Sequence, residues 1–226
     1  MKNLRMLKYV LGMEDLYNME KGLLVVISGF SGSGKGTIVK QLVEKYGYSL
    51  SISATTRAPR EGEVDGREYY FKTVDEFRSL IDYNGFIEWA QYVDNYYGTP
   101  RKFVEKEMEA GNDVILEIEV QGALAVKEQY PNAVLLFIAP PSAEELKNRL
   151  VGRGTEDLKT IQKRLSRAVE ESESMDNYEY IVINDDLEQC VQDVHSIIVG
   201  EHSKTNNKLG FMEQIKKELV LFKKGE

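Results

Sequence analysis

Residues 23–37 read Leu23-Leu24-Val25-Val26-Ile27-Ser28-Gly29-Phe30-Ser31-Gly32-Ser33-Gly34-Lys35-Gly36-Thr37, and the fold is decided there. The first six residues are a short apolar run, rich in β-branched side chains, that stops at a glycine. That is the pattern of a strand buried on both faces of a parallel sheet. From Gly29 to Lys35 the chain then matches G-x-x-x-x-G-K. Glycines at this spacing let successive backbone N–H groups turn inward around a polyphosphate, and a helix opening at the lysine points its positive end at the same anion. The whole loop, Gly29, Phe30, Ser31, Gly32, Ser33, Gly34, Lys35, Gly36 and Thr37, is the expected triphosphate site, with Lys35 reaching the terminal phosphates. Gly36 stands where a serine or threonine usually ligates Mg2+, and Thr37 follows one residue later. The metal is therefore expected to be held mainly by nucleotide phosphates and water.

Working outward, residues 114–119 (VILEIE), 134–138 (VLLFI) and 180–183 (YIVI) repeat the apolar run. Helical patterns lie between them, at about 35–46, 121–129, 142–150, 157–175 and 186–199. Strands alternating with helices predict an α/β protein of three layers around a central parallel sheet. Two segments break the alternation. Residues 50–105, rich in Tyr, Arg, Gly and Thr, read as an inserted lobe, and residues 151–165, with little apolar content, read as a mobile lid. At the C-terminus, 201–226 reads as a loop and a tail helix, with Met212, Ile215, Leu219 and Phe222 on one face expected to pack on the body. Residues 1–18 read as a dispensable extension, the functional body being 19–200.

Composition narrows the function classes. The 226 residues carry 29 Lys and Arg against 37 Asp and Glu, a net charge of −8, which is not the footprint of a general nucleic-acid binder. Cys190 is the only cysteine, so neither an intrachain disulfide nor a multi-cysteine metal site can form. No apolar run approaches the ~20 residues a membrane helix needs. At the N-terminus, Lys8, Glu14 and Asp15 break the pattern of a signal peptide, so a cytoplasmic protein without membrane attachment is expected.

A second constellation follows the loop: Ser53-Ala54-Thr55-Thr56-Arg57-Ala58-Pro59-Arg60-Glu61-Gly62-Glu63, with Tyr69 beyond it. Arg57 and Arg60, three apart beside a proline and glycines, suit a forked grip on a phosphate, and Tyr69 and Tyr97 can add phenolic donors. Glu88 precedes Trp89 in an otherwise apolar stretch.

These motifs, with I-E-W-A at 87–90, N-Y-Y-G at 95–98, R-G-T-E at 153–156 and I-N-D-D at 183–186, resemble the guanylate kinase family over about residues 22–200. The resemblance implies transfer of a phosphoryl group from ATP to GMP, giving ADP and GDP, for purine recycling and GTP supply. It implies that Ser53, Glu88, Thr99 and Glu117 face the guanine, that Arg57, Arg60, Tyr69 and Tyr97 bind the GMP phosphate, and that Glu63 belongs to the GMP-binding group. Arg153 and Arg164 would come from the lid onto the transferring group, Arg149 would assist, and Asn184 with Asp185 would approach the adenine. Glu117 stands where other members have aspartate, and Phe30 where proline is frequent. The catalytic set is thus Lys35, Arg60, Arg153 and Arg164. Two readings compete with this one. One is another monophosphate kinase on the same scaffold; the other is a non-catalytic interaction module, which would be expected to lack the phosphate loop.

Overall fold

The computed structural model describes residues 21–92, 94–152 and 157–223. The expectations for residues 1–18 and for Arg153 fall outside these residues. Five strands form a parallel sheet in the order β2-β7-β1-β8-β9. They are β1 (Leu24–Gly29), β2 (Ser49–Leu50), β7 (Val114–Glu117), β8 (Val134–Ala139) and β9 (Tyr180–Ile183). β1 is central and buried along its whole length. Its alternate side chains feed two cores. Val25 and Ile27, with Ile115, Leu136 and Ile138, pack against α1 (Lys35–Tyr46) and α7 (Leu187–Glu201) through Ile38, Leu42, Val191, Val194 and Ile198. Leu24 and Val26, with Leu116, Leu135 and Phe137, pack against α3 (Arg101–Glu109) and α4 (Val120–Gln129) through Val104, Ala123 and Val126. A sheet covered on both faces explains why these strands read as continuous apolar runs rather than alternating ones.

The chain leaves β1 toward β2 on one side of the sheet and later crosses to β8 and β9 on the other. That reversal opens a crevice at the carboxyl end of β1, where open α/β sheets place their ligands. Residues 29–35 leave the sheet at that point.

The inserted lobe is a second sheet of β3 (Ala54–Thr55), β4 (Tyr70–Phe71), β5 (Phe86–Tyr92) and β6 (Asn95–Pro100), in the order β4-β3-β6-β5. Its core is small: Ala54, Phe77 and Phe86, with Phe77 stacked on both Phe86 and Tyr96. Phe77 comes from α2 (Val74–Asp82), whose first turn is closed by a capping box between Thr73 and Glu76. The expected lobe, 50–105, runs slightly too far, because α3 begins at Arg101 and belongs to the body through Val104.

The helical stretches expected at 142–150 and 157–175 are present as α5 (Ala143–Gly152) and α6 (Leu158–Ser172), a hairpin with Leu146, Leu150, Ile161 and Ala168 in a core between them. The apolar content was sparse because one face of each helix suffices to hold the other. The tail helix, α8 (Leu209–Lys223), exists, but its stripe does not sink into the body, since Ile215, Leu219 and Phe222 are 36%, 59% and 75% exposed. No helix of the described residues is long and apolar enough to cross a membrane.

Candidate active site

The phosphate loop is shaped by backbone. Gly32 and Gly34 take φ of +98° and +95°, a region that costs any side chain strain. At Gly34 a Cβ would also lie 2.4 Å from Asn184 Nδ2, so no other residue fits. Gly34 is the N-cap of α1 and has no side chain to occupy the first-turn N–H groups, which leaves them for an anion. Lys35 folds back over the loop, donating from Nζ to the carbonyls of Gly29 at 2.5 Å and Phe30 at 3.1 Å. Burial lowers its pKa, and the charges of Glu119, Glu117 and Glu171 act in the opposite direction. Phe30 packs edge-on against Phe137 at 4.9 Å and also touches the α5–α6 core, tying the loop to both.

The hairpin and the loop after β9 close on the same place. Arg164 donates from Nη1 to Ser31 Oγ at 2.7 Å. Arg149 is paired with Glu145 at 2.7 Å and donates to the Asn184 carbonyl at 2.9 Å. Asn184 itself is buried and donates to the Ser33 carbonyl at 2.7 Å. Its amide nitrogen thus props the phosphate loop from behind. Asp185 beside it is exposed, and Asp186 caps α7 by accepting from Gln189 N at 2.8 Å.

Across the crevice, the lobe holds its polar groups in place with one another. Glu63 takes both carboxylate oxygens to Arg57 Nη2, at 2.9 and 3.0 Å, and also accepts from Arg60 N at 2.7 Å. That pairing raises the Arg57 pKa and lowers that of Glu63. Arg57 also lies over the rings of Tyr69 and Phe71, and Tyr69 meets Tyr97 edge-on at 6.0 Å. Arg60 is exposed at the turn, and Ser53 is half-buried, accepting from Tyr70 N. Glu63 is thus placed as the counter-ion that orients Arg57.

Glu88 sits where the pairing of β5 with β6 slips by one residue between Phe86 and Trp89. Such a bulge re-aims side chains, and here the Glu88 carboxylate meets buried Thr99, whose Oγ1 donates to Oε1 at 2.7 Å. Its Oε2 lies 3.0 Å from where a Cβ on Gly122 of α4 would be. Burial raises the Glu88 pKa, and the Thr99 hydroxyl works against that rise.

Glu117, expected beside the guanine, stands between the two halves. Its carboxylate is 3.5 Å from the Cβ position of Gly36, at the start of α1, and its charge reaches Tyr69 as well as Lys35. Burial raises its pKa, and Lys35 lowers it. Beneath Lys35 are Arg167 and Glu171, for which the sequence reading had no role. Arg167 bridges Glu119 at 3.2 Å and Glu171 at 3.1 Å, and Glu171 is nearly buried with its carboxyl pushed up to about 7 by burial and by Glu119. The spacing Arg164, Arg167, Glu171 marks one helical face and was the available signal.

A glycine loop on a helix N-terminus, a lysine over it and an arginine-bearing lobe opposite define a P-loop phosphotransferase that acts on a second phosphorylated substrate. The guanylate kinase family profile matches residues 21–201. Guanylate kinases of Caldanaerobacter subterraneus subsp. tengcongensis and Clostridium acetobutylicum are 51% and 49% identical to the chain. The alignments cover 89% and 92% of this chain and 98% and 96% of the relatives. The crystal structure of guanylate kinase from Anaplasma phagocytophilum superposes with a TM-score of 0.68 at 34% identity, over 82% of this chain and 88% of that one. The chain belongs to the guanylate kinase family, and its reaction is the family's, phosphorylation of GMP to GDP with ATP.

Proposed function

We propose that the phosphate loop takes the ATP triphosphate and that the lobe takes GMP, with the transferring phosphoryl group between Lys35 and the arginines. The observation that carries this reading is the Glu88 carboxylate, fixed by Thr99 and partly withdrawn from water. It suits the paired N–H donors of guanine and would leave a buried acceptor against adenine's lone pair. Arg57, released from Glu63, and Arg60, with Tyr69 and Tyr97, take the GMP phosphate. A phosphate oxygen of GMP is already an anionic nucleophile, so no general base is needed, and catalysis is charge neutralisation and alignment. Lys35, Arg60 and Arg164 supply positive charge to the transferring group, and Arg153 is assigned there by resemblance alone. Placing arginines on the lobe and on the hairpin makes assembly of the site depend on both nucleotides, which guards ATP against water.

Gly36 offers no hydroxyl at the position after Lys35, which suits Mg2+ carried in on the nucleotide, with Thr37 the nearest first-turn hydroxyl; bound so, the ion would offset phosphate charge. We place the enzyme in the cytoplasm, with its functional body near residues 19–200 and no nucleic-acid or membrane partner. A coupled assay of ADP formation, with ATP, Mg2+ and GMP, AMP or UMP, tests the substrate assignment. GMP should be preferred by roughly 10⁴ in kcat/KM. Equal turnover of AMP, or none of GMP by folded protein, would overturn it.

A further inference from the structure

One face of α6 carries Arg164, Arg167 and Glu171, and the transfer reading uses only the first. Among the described residues Arg167 reaches two carboxylates. Its Nε donates to Glu171 Oε1 at 3.1 Å, and its Nη2 donates to Glu119 Oε2 at 3.2 Å. Glu171 is 7% exposed, and its Oε2 finds no hydrogen-bond donor among the described residues. A carboxylate so placed costs folding free energy, because one shared arginine does not return what desolvation takes. Leucine or methionine would pack a helix there at lower cost. What the carboxylate achieves is geometric. An arginine fixed at Nε has its fork aimed, and this fork is aimed at Glu119, the residue that opens α4 directly after β7. Lys35 lies within electrostatic reach of Glu119, Glu171 and Arg167 together.

We propose that Arg167 and Glu171 are positioning residues for the transfer step. They clamp the C-terminal half of α6 to the junction of β7 and α4, so that Arg164, one turn earlier, meets the phosphate loop in a fixed relation to Lys35. Neither residue touches a nucleotide. The Glu119 end of the clamp is 61% exposed and contributes little stability, so the clamp's effect falls on alignment rather than on folding. Alignment is costly to lose, since displacement of a catalytic group by about 1 Å can lower rates up to ~100-fold. The inference rests on the roles given above to Lys35 and Arg164.

Steady-state kinetics of Arg167→Ala, Arg167→Lys, Glu171→Gln and the double variant R167A/E171Q test it, with thermal midpoints measured alongside and Lys35→Ala as the reference. Arg167→Ala should lower kcat about 10-fold with KM for GMP within about twofold of wild type. Arg167→Lys should recover part of the loss. The isosteric Glu171→Gln keeps the shape but loosens the Arg167 anchor, and should cost about 3- to 10-fold. The double variant should be no worse than Arg167→Ala, because the two residues act as one unit. The proposal is overturned if Arg167→Ala and Glu171→Gln both keep kcat while Lys35→Ala loses it. It is equally overturned if kcat and the thermal midpoint fall while KM rises, which is the mark of scaffolding. Retention of turnover by Lys35→Ala would instead remove the transfer reading itself.

Discussion

The phosphate loop is made of backbone on a fully buried sheet, whereas the lobe opposite is made of side chains on strands as short as two residues. In the loop, glycine conformations and a helix end do the binding, and side chains such as Asn184 brace it from behind. In the lobe, recognition depends on carboxylates, hydroxyls and guanidinium groups that hold one another, as Glu63 holds Arg57 and Thr99 holds Glu88. On the proposed assignment, any nucleoside triphosphate offers the loop the same phosphates, so that half of the site is generic. Selectivity for the accepting base then resides in the lobe, where one side chain can be exchanged without disturbing the sheet.

Substitutions on the two sides should therefore fail differently. The largest effect is expected at the generic end. Lys35→Ala should lower kcat by about 100- to 1000-fold while the thermal midpoint stays near wild type, because the lost charge acts on the transferring group and α1 tolerates alanine. Near-normal turnover by the purified, folded variant would remove the loop from the mechanism. Next comes the selective end. Glu88→Gln keeps the shape but gives up charge and one acceptor, costing about 1–3 kcal/mol, or roughly 5- to 150-fold in kcat/KM for GMP, with KM for ATP unchanged. Equal losses for both nucleotides would make Glu88 structural and erase the contrast.

Gly122→Ala sharpens the comparison, since a body residue there limits a lobe residue. The added Cβ would sit 3.0 Å from Glu88 Oε2. Pushing the carboxylate off its rotamer at ~0.5–1.5 kcal/mol should raise KM for GMP about 3- to 10-fold. Alanine is the better helix former, so the protein should be no less stable. An unchanged KM would show that α4 does not shape the guanine end.

The smallest effect is a pH dependence of stability. The Glu171 carboxyl is raised from 4.5 to about 7 in the folded chain, so between those values the folded state holds a proton that the unfolded state has lost. Its contribution to stability is thus present at low pH and declines as pH rises through that window. Glu171→Gln cannot titrate. Its thermal midpoint, relative to wild type, should improve from about pH 5 to about pH 8; a constant difference would place Glu171 in a wetter setting.

Where one physical rule dominated, the sequence was easy to read. Strands buried on both faces announce themselves as apolar runs, and a phosphate loop must have its glycines, so β1, β7, β8, β9 and the loop were all legible. The lobe was readable as chemistry but poorly as structure. α2 carries a single buried residue, Phe77, and its best signal was the capping pair Thr73 and Glu76. The face of α6 beneath Lys35 stayed hidden because Arg167 and Glu171 look like an ordinary solvated helix surface until β7 and α4 are brought against them. Asn184 shows the converse, a residue legible as part of a motif whose hydrogen bond to the loop only the fold reveals. The tail stripe was legible as a helix face, but amphipathic spacing says nothing about whether a surface is present to receive it.

The bidentate grip of Glu63 on Arg57 bears on competition in a crowded cell. The guanidinium is aimed but occupied, with Nη2 on both Glu63 oxygens and Nη1 on the Ala58 carbonyl, so an anion that takes it must displace these acceptors. Inorganic phosphate and sulfate arrive with nothing else to hold on to. GMP arrives with a base that Glu88 can anchor at the far end of the lobe, and the two contacts are made by one molecule, so the second is gained at high effective concentration. On the proposed assignment, the internal carboxylate is a resident competitor that raises the concentration a small dianion needs and yields more readily to a ligand tethered from both ends.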